Sequence, residues 1–200
     1  MDLTLPLVLV VLIVFNGIFA MSEIAILTAR KARLQQMADE GDARARAALE
    51  LAQSPTHFLS TVQIGITSIG ILIGVVGEDA LAAPLADWLR DHVPVIATWA
   101  TGIALTTVVI GTTVTSIVVG ELVPKRLGLM HPEGIARMVA VPMRLLSWLS
   151  TPLVKLLGLI TDGVLRLMGV RESEEPVITE EEIQVLMAQG TTAGVFGQTE

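Results

Sequence analysis

Apolar positions gather in three long runs separated by polar stretches, and that alternation predicts helices crossing a bilayer. The first run, Leu3 to Ile18, continues through Phe19 and Ala20 to Leu27 if Ser22 and Glu23 are tolerated. The second, Phe58 to Val76, holds no formal charge, and the third, Val95 to Val119, stays uncharged until Glu121. About 20 apolar residues cross a hydrocarbon core as a helix, so each run suffices. The expected spans are about 3–28, 56–77 and 95–122. A cleaved signal peptide competes for the first run. However, the N-terminus carries Asp2 and no Lys or Arg, where a signal needs a positive flank. An uncleaved helix is therefore expected.

The intervening stretches have patterns of their own. In residues 30–53, Leu34, Met37, Ala38, Ala45, Ala48, Leu49 and Ala52 keep helical spacing. They predict a helical hairpin outside the bilayer core, turning at Gly41-Asp42. Ser54-Pro55 reads as an N-cap and a first-turn proline opening the second span. Glu78 to Pro94 forms a short polar connection. Ile135 to Val170 is apolar enough for a fourth span, but Arg137, Arg144, Thr151, Lys155, Asp162 and Arg166 fall on one stripe at helical pitch. Such a stripe describes helices lying in the interface plane, here about 133–170 and bent into segments by Pro142 and Pro152. The fold class expected is all-α integral membrane: three transmembrane helices plus a proline-kinked amphipathic juxtamembrane belt. Domain 1–170 is followed by an acidic helical linker, 171–200, opened by a capping box at Thr179 to Glu182. The chain is expected to continue beyond Glu200.

Composition reinforces this picture. Charged residues are 16%, against about 25% in a soluble domain. No cysteine is present, which excludes disulfides and thiolate metal sites. The net charge of -7 gives no reason to expect nucleic acid. Five bases occupy the first loop (Arg30, Lys31, Arg33, Arg44, Arg46), one the second (Arg90), and Lys125-Arg126 follow the third span. By the excess of bases on cytoplasmic loops, the N-terminus lies outside and the C-terminus inside. Catalytic signatures are missing: His57, His92 and His131 are isolated, and no nucleophile turn or phosphate loop occurs.

Polar groups inside the runs need partners. Ser60, Gln63, Thr67, Gly70 and Gly74 share one face of the second span, and for the glycines close helix packing is the plainer reading. Asn16 and Glu23 share a face of the first. Glu23 either snorkels toward Arg30 and Lys31 or joins a site, and Ser22 can bond the carbonyl four residues back. Glu121 is the strongest candidate, because Pro124 frees a carbonyl near Ile117 or Gly120. A carboxylate, a freed carbonyl and neighbouring hydroxyls suit a hard cation such as Mg²⁺. The alternative is Glu121 paired with Lys125 or Arg126 at the inner surface.

Three stretches together resemble the transmembrane domain of the cyclin M/CorC magnesium transporter family: FNGIFAMSEIAILTARKARL (15–34), FLSTVQIGIT (58–67) and GELVPKRLG (120–128). The tail at 177–200 resembles the helical linker before that family's paired CBS domains. The resemblance implies a homodimer in the lipid bilayer of a bacterial inner membrane, with CBS domains further along the same chain. It also implies a Mg²⁺ site between the helices and export coupled to Na⁺. The family's pattern carries to Ser22, Ser60, Gly120, Glu121, Pro124 and Lys125. One departure stands out. Members with a GNN-like run have asparagines after the second-span glycine, whereas Gly65 here precedes Ile66 and Thr67. Either Ile66 offers its carbonyl, or Gln63 and Thr67 replace the lost amides beside Gly65, or this branch handles Mg²⁺ differently. A membrane-anchored Mg²⁺-binding regulator or scaffold, and a Mg²⁺ channel, are the competing functions.

Overall fold

The computed structural model describes residues 3–169. The linker, its capping box and Asp2 lie outside the described residues. Contacts divide the chain into two units, 1–157 and 158–200. The described part of the second, 158–169, holds the last turns of a helix and Gly169.

Every described element is helical. Helix α1 is Thr4–Thr28, α2 Lys31–Asp39, α3 Ala43–Gln53 and α4 Pro55–Gly77. A π-helical turn, Glu78–Ala82, leads into α5, Ala83–His92, and a 3₁₀ stretch, Pro94–Trp99, into α6, Ala100–Ile117. A second π turn, Val118–Leu122, precedes α7, Val123–Met130, and α8 is Pro132–Leu167. Four helical segments are long and apolar enough to cross a membrane: Thr4–Thr28, Pro55–His92, Pro94–Met130 and Pro132–Leu167. The chain is an integral membrane protein with several such helices.

Local chemistry explains the boundaries. Gly41 takes φ +98, a left-handed turn that favours glycine. Asp42 then caps α3, its carboxylate accepting from the Arg44 and Ala45 N–H groups at 2.8 and 3.1 Å. Ser54 occupies the N-cap of α4 without a side-chain bond, and Pro55 fixes the first turn. The expected polar connection after Glu78 is itself helical: the π turn carries the chain without a break into α5, with Pro84 just past it. Likewise α8 runs through Pro142 and Pro152 as one helix instead of separate segments.

Two kinds of packing hold the first unit. Around the hairpin, apolar side chains are buried in the ordinary way. Leu34 of α2, Ala45 and Ala48 of α3, Phe58 and Val62 of α4, and Ala136 and Ala140 of α8 form one core with the end of α1. Burying Phe58 or Leu34 fully is worth about 1.5–3 kcal/mol each. Arg137 pairs with Asp42, and Arg144 with Glu50 at 3.1 Å. Two bases of the expected interfacial stripe therefore dock on the α3 side of the hairpin.

Within the spans, glycines bring helices close. A Cβ on Gly17 would lie 2.9 Å from Pro124 Cγ, and one on Gly128 would lie 2.4 Å from Ile24 Cγ2. One on Gly65 would lie 2.6 Å from the Phe19 ring. Packing without a hydrophobic driving force favours such small residues. Gly70 and Gly74, expected to pack, meet nothing within 4 Å. The close face of α4 is set by α1, and these two glycines do not point to it.

Candidate functional site

The chemistry concentrates where α1 meets the second π turn and α7. Pro124 has no N–H to give to the carbonyl four residues back, that of Gly120. The Asn16 amide takes it instead, donating to Gly120 O at 3.1 Å. Both residues are buried, and Asn16 Oδ1 makes no hydrogen bond within the described residues. Two turns along α1, Glu23 reaches the same place. The Lys125 ammonium lies 2.8 Å from Glu121 Oε1 and 3.4 Å from Glu23 Oε2. One cation is thus shared by two carboxylates from different helices.

Asn16, Glu23, Gly120, Glu121, Pro124 and Lys125 are therefore brought together. Glu121 pairs with Lys125, one of the two bases that follow Pro124. Glu23, by contrast, turns to Lys125 and not to Arg30 or Lys31. The reason is geometric: Gly17 lets Pro124 approach α1, which seats the residue after Pro124 against Glu23.

The hydroxyl and amide candidates behave differently. Ser22 is buried and gives its hydroxyl to Ile18 O at 2.6 Å. Ser60 gives its own to Thr56 O at 2.9 Å. Gln63 donates to Thr67 Oγ1 at 3.4 Å, and both are exposed. Gly65 lies under the Phe19 ring. No hydrogen bond among the described residues joins Ser60, Gln63 or Thr67 to Glu121. Nor does any group of three or more His, Cys, Asp and Glu among them converge on a metal-sized site.

Sequence reasoning missed three features: the two π turns, the reach of Lys125 to Glu23, and the Asn16–Gly120 bond. The shared face of Asn16 and Glu23 and the proline after Gly120 were the available signals. His57 is less isolated than its sequence setting implies. Its Nδ1 lies 2.8 Å from Ser147 Oγ of α8.

Comparison with known proteins agrees with this architecture. Residues 7–200 match the cyclin M transmembrane N-terminal domain. A UPF0053 protein of Synechocystis is 52% identical over 190 residues, covering 95% of this chain and 42% of that protein. A polyamine export protein of Haemophilus influenzae is 32% identical over 95% of this chain and 44% of its own length. The polyamine export protein of Escherichia coli K12 is 29% identical over 97% of this chain and 43% of its own. The chain thus spans less than half the length of these relatives.

Proposed function

Because this chain belongs to the cyclin M transmembrane domain family, we propose that it forms the membrane-embedded part of a cation exporter. One observation carries the reading: Lys125 held between Glu23 and Glu121, beside the Gly120 carbonyl. Charged groups at membrane depth are costly and mark ion pathways. Here Lys125 stands where a transported cation would stand. With both carboxylates ionised, the trio carries one negative charge. A divalent cation displacing Lys125 would balance the two carboxylates fully.

For Mg²⁺, the ligands would be Glu121, the Gly120 carbonyl, and the Ser22 and Ser60 hydroxyls. Gln63, the Gly65 backbone and Thr67 would stand in for the missing asparagines. Oxygen donors of this kind suit a hard cation. Asn16 would hold the Gly120 carbonyl until the ion arrives, and Pro124 would keep it free of the helix. Export coupled to Na⁺, a homodimer with CBS domains beyond residue 200, and three spans with α8 in the inner interface complete this reading. The N-terminus would face outward and the C-terminus the cytosol.

A second reading has its own support. Lys125 is a primary ammonium held by two carboxylates, which is the recognition an organic polyamine needs. The relatives of Haemophilus influenzae and Escherichia coli are named polyamine export proteins. The Gly65-Ile66-Thr67 run also lacks the amides of the GNN-like pattern.

Flux in proteoliposomes containing the full-length protein tests both. Mg²⁺ and a radiolabelled diamine are supplied separately, with and without a Na⁺ gradient. The wild type should move one of them and Glu121→Gln should not. No flux of either cation through the wild type would sink the transporter reading and leave a cation-binding regulator. Flux indifferent to Na⁺ would favour a channel.

A further inference from the structure

We infer that Glu78 carries a second cation site, at the opposite end of the α4–α6 pair from Glu121. The proposal rests on the reading of this chain as a cation transporter. Its first ground is a local duplication. Val75-Val76-Gly77-Glu78 and Val118-Val119-Gly120-Glu121 are the same four residues. Each string ends in or at a π turn, Glu78–Ala82 in one case and Val118–Leu122 in the other. π turns are uncommon, occur mostly as single turns inside α-helices, and are frequent at functional sites.

The two turns sit at different levels of α1. Gly120 is bonded to Asn16, and the neighbouring Lys125 to Glu23, toward the C-terminal end of α1. Ile73, about one turn before Glu78, packs on Leu9 and Ile13 toward the N-terminal end.

Cavities supply the second ground. One of about 210 Å³ lies between α4 and α6, lined by Gly74, Gly77, Thr112, Thr113 and Ser116. It extends from Ile117, the residue before the π turn of Glu121, to Glu78. A further cavity of about 150 Å³ begins at the same Glu78 and Leu105 and reaches Asp87, Arg90 and Thr101. Glu78 is the carboxylate common to both.

Charge supplies the third. Both glutamates lie at a π turn inside a longer helix, Pro55–His92 for Glu78 and Pro94–Met130 for Glu121, and a carboxylate in an apolar span calls for a cation. At Glu121 the chain provides that cation as Lys125. In the second cavity Arg90 is taken by Asp87 at 2.5 Å and by the Thr101 hydroxyl at 2.6 Å. Glu78 forms no ion pair among the described residues. The ligand class is therefore a small cation taken by one carboxylate and neighbouring hydroxyls, either a divalent metal ion or a primary ammonium.

Equilibrium dialysis of the full-length protein in detergent tests this with Mg²⁺ alone and with a diamine alone. The arm that binds identifies the cation. The wild type should bind one more cation per chain than Glu78→Gln. Thr112→Val, which removes the hydroxyl residue packed beside Gly77 without touching the carboxylate, should weaken that same site by about tenfold. If Glu78→Gln does not fold, as judged by its elution and melting, the Thr112 variant decides alone. Unchanged stoichiometry and affinity in the folded variants would overturn the site. Absence of flux in the wild type, with the stoichiometric difference intact, would instead overturn transport and leave Glu78 a binding residue.

Discussion

The side-chain amide of Asn16 on α1 donates to the backbone carbonyl of Gly120 at 3.1 Å, across 104 positions of sequence. The bond joins the first long helix to the irregular turn of the third. A carbonyl that Pro124 leaves free thereby acquires a buried donor. Asn16→Ala should remove that donor and cost about 1–3 kcal/mol, the usual penalty for an orphaned buried acceptor. Asn16→Asp replaces the donor with a second acceptor and should melt lower still at neutral pH. Thermal unfolding in detergent checks the order, and an aspartate variant as stable as wild type would refute it.

Gly128 presents the tightest approach of α7 to α1. Its added Cβ would meet Ile24 Cγ2 at 2.4 Å and the Met21 carbonyl oxygen at 2.9 Å. Backbone cannot yield as a side-chain tip can, so Gly128→Ala should destabilise by about 1–3 kcal/mol. Gly70→Ala, where nothing lies within 4 Å, should be neutral or slightly stabilising. The pair of melting curves separates close packing from a general effect of adding a methyl group.

Lys125 can be tested by removing its charge. Lys125→Met leaves Glu23 and Glu121 facing each other without a counter-ion. Added Mg²⁺ or diamine should then raise the melting midpoint of the variant more than that of wild type. Saturating ligand at a hundred times its dissociation constant stabilises by about 2.7 kcal/mol. Equal responses of the two proteins would mean that the carboxylates take no exogenous cation.

Asp42 makes a prediction outside the spans. Its carboxyl is held below the ordinary carboxylate range, first by the Ala45 N–H, then by the Arg44 N–H and the Arg137 guanidinium, with partial desolvation opposing. A group with a depressed folded pKa stabilises above its unfolded value and loses that contribution as pH falls through the folded one. Acid should therefore loosen the α3 cap and the Arg137 contact together, below the ordinary aspartate range. Asp42→Asn keeps a capping oxygen but not the ion pair. Its melting midpoint should be lower near neutral pH and flatter across the acid range. A wild-type acid profile indistinguishable from that of Asp42→Asn would count against the assignment.

Much of the architecture is legible in the sequence, because apolar length and helical period are local properties. Helices cover Thr4–Thr28 and Pro55–Gly77, and Gly41 with Asp42 separates Lys31–Asp39 from Ala43–Gln53. The site is only half legible. Glu121 and the carbonyl freed by Pro124 can be read from a dozen consecutive residues. The partners Asn16 and Glu23 depend on how close α7 comes to α1, which Gly17 and Gly128 set, and glycine spacing alone does not say which helix will arrive. Gly70 and Gly74 show the converse: a small-residue stripe that lines a cavity facing α6, with nothing within 4 Å of an added Cβ.

The third long helix has a consequence of its own. In the apolar window of Pro94–Met130 only 6% of residues are buried inside the chain. Thr107, Thr112 and Thr115 return their hydroxyls to the carbonyls of Ile103, Val108 and Gly111. These three threonines thus satisfy themselves within their own helix. Most of its surface is therefore shaped by whatever medium or molecule lies against it. Substitutions along that wall, such as at Val114, will be judged by acyl chains or neighbouring proteins before they are felt by the fold.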